Sequence, residues 1–170
     1  SLRNSNALIT GGSRGIGKAC VEIFLQAGAN VAFTYNSANE DAQKIISGYN
    51  GSSLIKSYEV NFRNLSEIKE ASKNILMDFQ SIDILVNNAG LALGMAPFDE
   101  CDLDNWDTMM DTNVKGLLYV SKAVLPFIIA QKGHIINIGS TAGKEVYKDG
   151  NVYCASKHAV DAISKAQRMD

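Results

Sequence analysis

Several things are scarce in this sequence. Cysteine occurs three times in 170 residues, as Cys20, Cys101 and Cys154. An odd count without short spacing argues against a disulfide framework or a cysteine zinc site. Reduced thiols and a cytoplasmic location are the expectation instead. Histidine occurs twice, at His134 and His158, neither of them near a cysteine or another histidine at ligand spacing, so no metal is expected. Charge of one sign is also lacking: 16 Lys and Arg stand against 18 Asp and Glu. That balance gives no basic footprint for nucleic acid or an anionic membrane surface. Apolar runs are short, as at residues 125–130, far from the length needed to span a bilayer. The first residues lack the apolar core of a signal peptide. With only two prolines, and no repeat or low-complexity linker, residues 1–170 read as a single domain.

What the sequence does have is alternation. Short apolar runs at residues 6–10, 31–35, 54–60, 83–86 and 134–138 read as strands. Between them lie helical periods: Ile16, Cys20, Ile23, Phe24 and Ala27, with Gly28 as a stop, then residues 39–48, 65–79 and 103–131, with a kink expected at Pro126. A last helix starts at Asn151. Strand–helix alternation predicts a doubly wound, Rossmann-type parallel sheet with helices on both faces. Ligands of such sheets bind beyond the carboxyl ends of the strands.

The first strand runs into Thr10-Gly11-Gly12-Ser13-Arg14-Gly15-Ile16-Gly17. Gly11 suits a tight turn, Gly15 a close approach of backbone to pyrophosphate, and Gly17 close helix–strand packing. The helix that follows would present free N–H groups to phosphates. Ser13, Arg14 and Ile16 fall in the same turn. After the second strand comes Tyr35-Asn36-Ser37, where a carboxylate would hold an NAD ribose, and the first acids are Glu40 and Asp41. Arg14 is suited to a 2′-phosphate, so NADP(H) is favoured, with NAD(H) the alternative. Asn61 ends the third strand, and Asn87-Asn88-Ala89-Gly90 the fourth, where paired asparagines suggest bonds to orphaned backbone groups.

Tyr153 and Lys157 are four apart on a helix and share a face. A phenol with a pKa of about 10 is a poor base near neutrality, and a neighbouring ammonium favours its ionised form. Such a pair can exchange a proton with a carbonyl or alcohol oxygen. Ser140, expected to end the fifth strand, can hold that oxygen. Asn113 by itself reads only as a polar helix residue.

Taken together, Thr10-Gly11-x-x-x-Gly15-x-Gly17, Asn87-Asn88-Ala89-Gly90, Asn113, Ser140 and Tyr153-x-x-x-Lys157 resemble the common branch of the short-chain dehydrogenase/reductase family. Ser140 lies thirteen positions before Tyr153, as in that family. The resemblance implies an oxidoreductase acting on a small carbonyl or alcohol. Its catalytic residues would be Asn113, Ser140, Tyr153 and Lys157. Lys157 would both tune Tyr153 and hold the nicotinamide ribose, with Asn113 in a water-linked proton relay to it. Asn36, Asn61, Asn88, Ala89 and Gly90 would border the cofactor, although the family's aspartate is replaced at Asn61.

Up to Asn88 the chain is most similar to β-ketoacyl carrier-protein reductases. From Leu91, Pro97-Phe98, Trp106-Asp107, Asn113-Val114-Lys115-Gly116-Leu117 and Gly150-Asn151-Val152-Tyr153 resemble 3-hydroxy acid (serine-type) dehydrogenases. A small 3-hydroxy acid is therefore the expected substrate, a 3-oxoacyl thioester the alternative, and a silent NADP(H)-binding sensor an answer of another class. Lys144 and Tyr147 are candidates to touch a substrate carboxylate. The family also implies a homodimer or homotetramer and further strands, so a C-terminal truncation is expected.

Overall fold

The computed structural model describes residues 1–170. Five strands form one parallel sheet: β1 (Asn6–Ile9), β2 (Asn30–Tyr35), β3 (Ile55–Glu59), β4 (Ile84–Asn87) and β5 (His134–Asn137), in the order β3-β2-β1-β4-β5. The helices are α1 (Gly15–Gln26), α2 (Asn39–Gly48), α3 (Leu65–Phe79), α4 (Leu103–Met110), α5 (Leu117–Ala130) and α6 (Asn151–Met169). After β3 the chain returns across the sheet to place β4 on the far side of β1. Consecutive connections thus diverge between β1 and β4 and leave a crevice at their carboxyl ends.

Side-chain alternation divides the core in two. Leu8, Ala32 and Leu85 point to one face and pack with Ile68 and Ile75 of α3 and Val120, Val124 and Ile128 of α5. Ala7, Ile9, Val31, Phe33, Ile84 and Val86 point to the other and pack with Val21 and Leu25 of α1 and Ala42 and Ile45 of α2. The centre of the sheet is covered on both faces, which is why β1 and β4 read as unbroken apolar runs.

Two expectations about the long helical region change. Residues Leu103–Ala130 form a 28-residue helical run that is long and apolar enough, by length and composition alone, to cross a membrane. Its apolar residues at 120, 124 and 128 are instead buried against the sheet, as in a core helix. The run also departs from α geometry at a π turn, Asp111–Gly116, and stays α-helical through Pro126. Ser140 does not end a strand: β5 stops at Asn137, and Ser140 caps a short 3-10 turn, Thr141–Gly143.

Candidate active site

The crevice is an open cleft of about 630 Å³. Its floor at one end is the turn after β1. Gly11, at φ +67°, donates its N–H to Thr34 Oγ1 (3.1 Å), and Gly12 donates to the Thr34 carbonyl (2.8 Å), so the turn is tied to β2. On the other side Thr10 Oγ1 accepts from the N–H groups of Asn88 and Ala89, both at 3.0 Å. Asn88 Nδ2 donates in return to the carbonyls of Thr10 (3.0 Å) and Gly11 (2.9 Å). The expected role of an asparagine as partner to orphaned backbone is met at Asn88. Asn87 bonds to side chains instead, donating to Ser121 Oγ and Asn137 Oδ1.

Gly17 sits so close to this lock that a Cβ would overlap the Gly11 carbonyl. Gly15, at φ +55°, faces open space, so nothing obstructs a phosphate there. No side chain caps the start of α1, and its first N–H groups remain available to an anion. Gly11, Ser13, Arg14 and Ile16 line the cleft, whereas Gly15 and Gly17 do not.

Asn36 and Ser37 follow β2 along the cleft wall, and Glu40 and Asp41 lie in the first turn of α2. Arg14 is exposed in the loop opposite. Asn61 lines the cleft next to Phe62 and Arg63. Its side-chain oxygen accepts from the Arg63 N–H (3.0 Å), and its own N–H donates to Glu67 Oε2 (2.8 Å). Arg63 in turn pairs with Asp104 at 3.2 Å and Asp111 at 3.7 Å.

Ser140, Tyr153 and Lys157 line the other end, with Asn88, Ala89 and Gly90 between the two ends. Ser140 Oγ accepts from the Ala142 N–H at 3.1 Å, which leaves its own hydrogen to donate. Lys157 is buried; its Nζ donates to the Ile138 carbonyl at 3.0 Å, and burial pushes its pKa below the ordinary lysine range. Asn113 is brought near this group but does not line the cleft. It lies in the π turn, 2 % exposed, with Oδ1 accepting from the Leu91 N–H and Nδ2 donating to the Leu91 carbonyl, both at 2.9 Å. Its second amide hydrogen goes to Ser156 Oγ (3.0 Å), and Ser156 donates to the Tyr153 carbonyl (2.8 Å).

Lys144 and Tyr147 are outside the cleft. Lys144 Nζ is 2.6 Å from Asp161, which also pairs with Lys165. These two ammonium groups hold the Asp161 carboxyl at a pKa of about 2. Sequence reasoning missed Thr34 and Ser156, and took Thr10 only as the first residue of the glycine motif. Thr10 and Thr34 had a legible signal, as polar residues near the ends of apolar strands. Ser156 had only its place beside Lys157.

Residues 5–170 match the family model described as short chain dehydrogenase. The chain belongs to that family. Among curated relatives it is 42% identical over 164 residues to the NADP-dependent 3-hydroxy acid dehydrogenase YdfG of Escherichia coli K12. The match covers 96% of this chain and 65% of that protein, so the chain spans less than two thirds of that relative's length. A Schizosaccharomyces pombe protein described as NADP-dependent 3-hydroxy acid dehydrogenase is 37% identical, with 99% and 66% covered. Among solved structures, a closed form of serine dehydrogenase complexed with NADP+ is similar with TM-score 0.88 and 41% identity, covering 97% of this chain and 66% of that one. A short chain dehydrogenase of Burkholderia cenocepacia in complex with NADP has TM-score 0.91 and 31% identity, with 98% and 68% covered. The cleft thus runs from the β1–α1 turn at one end to Ser140, Tyr153 and Lys157 at the other.

Proposed function

We propose that the protein is an NADP(H)-dependent oxidoreductase that interconverts a small 3-hydroxy acid and its 3-oxo partner. The observation that carries this reading is the convergence of Ser140, Tyr153 and Lys157 on one end of a cleft whose other end is a glycine turn opening a helix. The residues fit a phosphorylated dinucleotide. Gly15 leaves room for a pyrophosphate, no acid follows β2 directly, and Arg14 is free of any ion pair and suited to a 2′-phosphate. When bound, the nicotinamide supplies or takes up the hydride.

The chain's own residues handle the oxygen. Ser140 Oγ–H donates to it and steadies the charge that develops there. Tyr153 gives its phenolic proton to that oxygen in reduction and removes it in oxidation. Lys157, anchored at the Ile138 carbonyl, keeps a positive charge one helical turn away from Tyr153. Asn113 holds the wall of the cleft: both of its amide hydrogens are taken by Leu91 and Ser156, so a relay to Lys157 is left only a lone pair on Oδ1. The close similarity to proteins described as 3-hydroxy acid and serine dehydrogenases supports the substrate class. Three unpaired thiols suit a cytoplasmic setting. An exposed apolar stripe on α5 suits a homodimer or homotetramer: Leu118, Leu125 and Ile129 are 40%, 41% and 66% exposed.

The test uses the protein from its complete reading frame. NADPH absorbance is followed with L-serine or 3-hydroxypropionate plus NADP, and separately with an acetoacetyl thioester plus NADPH. Turnover of the hydroxy acids is expected. Turnover of the thioester alone would move the protein to the acyl-chain reductases. NADPH binding without turnover of any of these compounds would favour a sensor. In the active enzyme, Tyr153→Phe is expected to lower kcat by roughly 10²-fold or more while NADPH still binds.

A further inference from the structure

Away from the reacting groups, one side chain joins three parts of the molecule. Asn151 is the first residue of α6, two before Tyr153, and the residue ahead of it, Gly150, offers no side-chain cap. Asn151 Oδ1 accepts from the Trp106 Nε1–H (3.2 Å) and from the Val152 N–H (2.6 Å). Its Nδ2 donates to the Ala96 carbonyl (3.2 Å) and to Cys101 Sγ (3.1 Å). Cys101 Sγ also rests against the carbonyls of Ala96 (3.5 Å) and Pro97 (3.4 Å). Trp106, on α4, packs against Phe98 in a tilted arrangement with ring centroids 4.8 Å apart. The segment from Leu91 to Asp102 is thus fastened at its far end to the start of the helix that carries Tyr153. Its near end, Leu91 and Ala92, lines the reactive end of the cleft.

From this we infer that Asn151 is a positioning residue for the carbonyl substrate: its clasp on Trp106, Cys101 and Ala96 fixes the spacing between the Leu91–Ala92 wall and Tyr153. The inference rests on the oxidoreductase reading for its kinetic consequence. It touches none of the dinucleotide-lining residues at the phosphate end, so substrate handling depends on the clasp and cofactor affinity does not. A misplacement of about 1 Å can cost on the order of 10²-fold in rate.

Asn151→Asp separates clasping from helix capping. The carboxylate keeps the acceptor for Val152 and Trp106 and suits a helix N-terminus. It cannot donate to Ala96 and repels that carbonyl. Asn151→Asp is expected to stay folded and melt within a few degrees of the wild type, to lower kcat/KM for 3-hydroxypropionate or the acetoacetyl thioester about tenfold, and to leave the NADPH Kd within about twofold. Wild-type kinetics in this variant, or an NADPH affinity that falls in step with kcat/KM, would overturn the inference. Asn151→Ala supplies a readout that needs no turnover. The Trp106 emission, isolated by subtraction of a Trp106→Phe variant, should move from its wild-type position as the indole N–H loses Asn151. An unchanged emission would also overturn the clasp. A wild-type enzyme silent toward both compounds would defeat the functional reading alone, because the emission test stands without it.

Discussion

Lys157 carries an ammonium where burial disfavours charge, and its side chain has one protein partner, the Ile138 carbonyl. Its folded pKa lies below the ordinary value of 10.5, so the folded protein binds this proton less readily than the unfolded chain. The stability penalty is therefore full below the folded pKa and fades as pH rises toward 10.5. Relative to a Lys157→Met variant, the wild type should gain stability between neutral pH and pH 10.5, as read from denaturation midpoints at several pH values. A difference that stayed constant with pH would mean that the site does not disfavour the charge. The placement of Lys157, Tyr153 and Arg14 along one cleft was legible because each falls in a motif that agrees with the strand–helix alternation around it. Ser156 was not, because a serine in a helix announces nothing until the fold supplies Asn113 on one side of it and the Tyr153 carbonyl on the other.

Among the elements, the π turn matters most to the site. The periodicity of residues 103–131 predicts one helix with a kink at Pro126, and the break falls instead at Asp111–Gly116. A π turn has no composition signature; what holds it here is tertiary. Asn113 grips both backbone groups of Leu91, and Phe62 packs where a side chain at residue 116 would have to sit. Ser156 is the link from this turn to the helix of Tyr153. Ser156→Ala leaves a buried amide hydrogen of Asn113 unpaired and should cost about 1–3 kcal/mol in denaturant unfolding. Turnover should fall with it, and Ser156→Thr, which restores a hydroxyl, should recover most of both. An alanine variant equal to wild type in stability and kcat would remove the link. By contrast, α2 and α3 were legible to the residue, since their apolar faces repeat regularly and Asn64 caps α3 through the N–H groups of Ser66 and Glu67.

For the molecule as a whole, the parallel sheet was legible because alternating strands and helices leave few other arrangements. The ends of the strands were less so: β1, β4 and β5 each shift by one residue at a boundary, and Ser140 moved from a strand end to a turn cap. Helix faces that do not meet the sheet were also silent in the sequence. On α5 the outward face carries Leu118, Leu125 and Ile129 beside a single charge, Lys122. Leu125→Glu combined with Ile129→Glu should reduce the sedimentation mass of the full-length protein toward that of a monomer; an unchanged mass would place the subunit contact elsewhere.

The lock between Thr10 and the Asn88–Ala89 backbone joins residues 78 and 79 positions apart. That distance has a meaning in time. A ribosome adding 5–20 residues per second makes the glycine turn roughly 4–16 s before the strand that must hold it. Until then the turn is tied only to β2, through Thr34, and the Gly11 carbonyl lacks the asparagine that later holds it. The second half of the fastening waits for β4, so the turn and the central strand pairing are completed in one event.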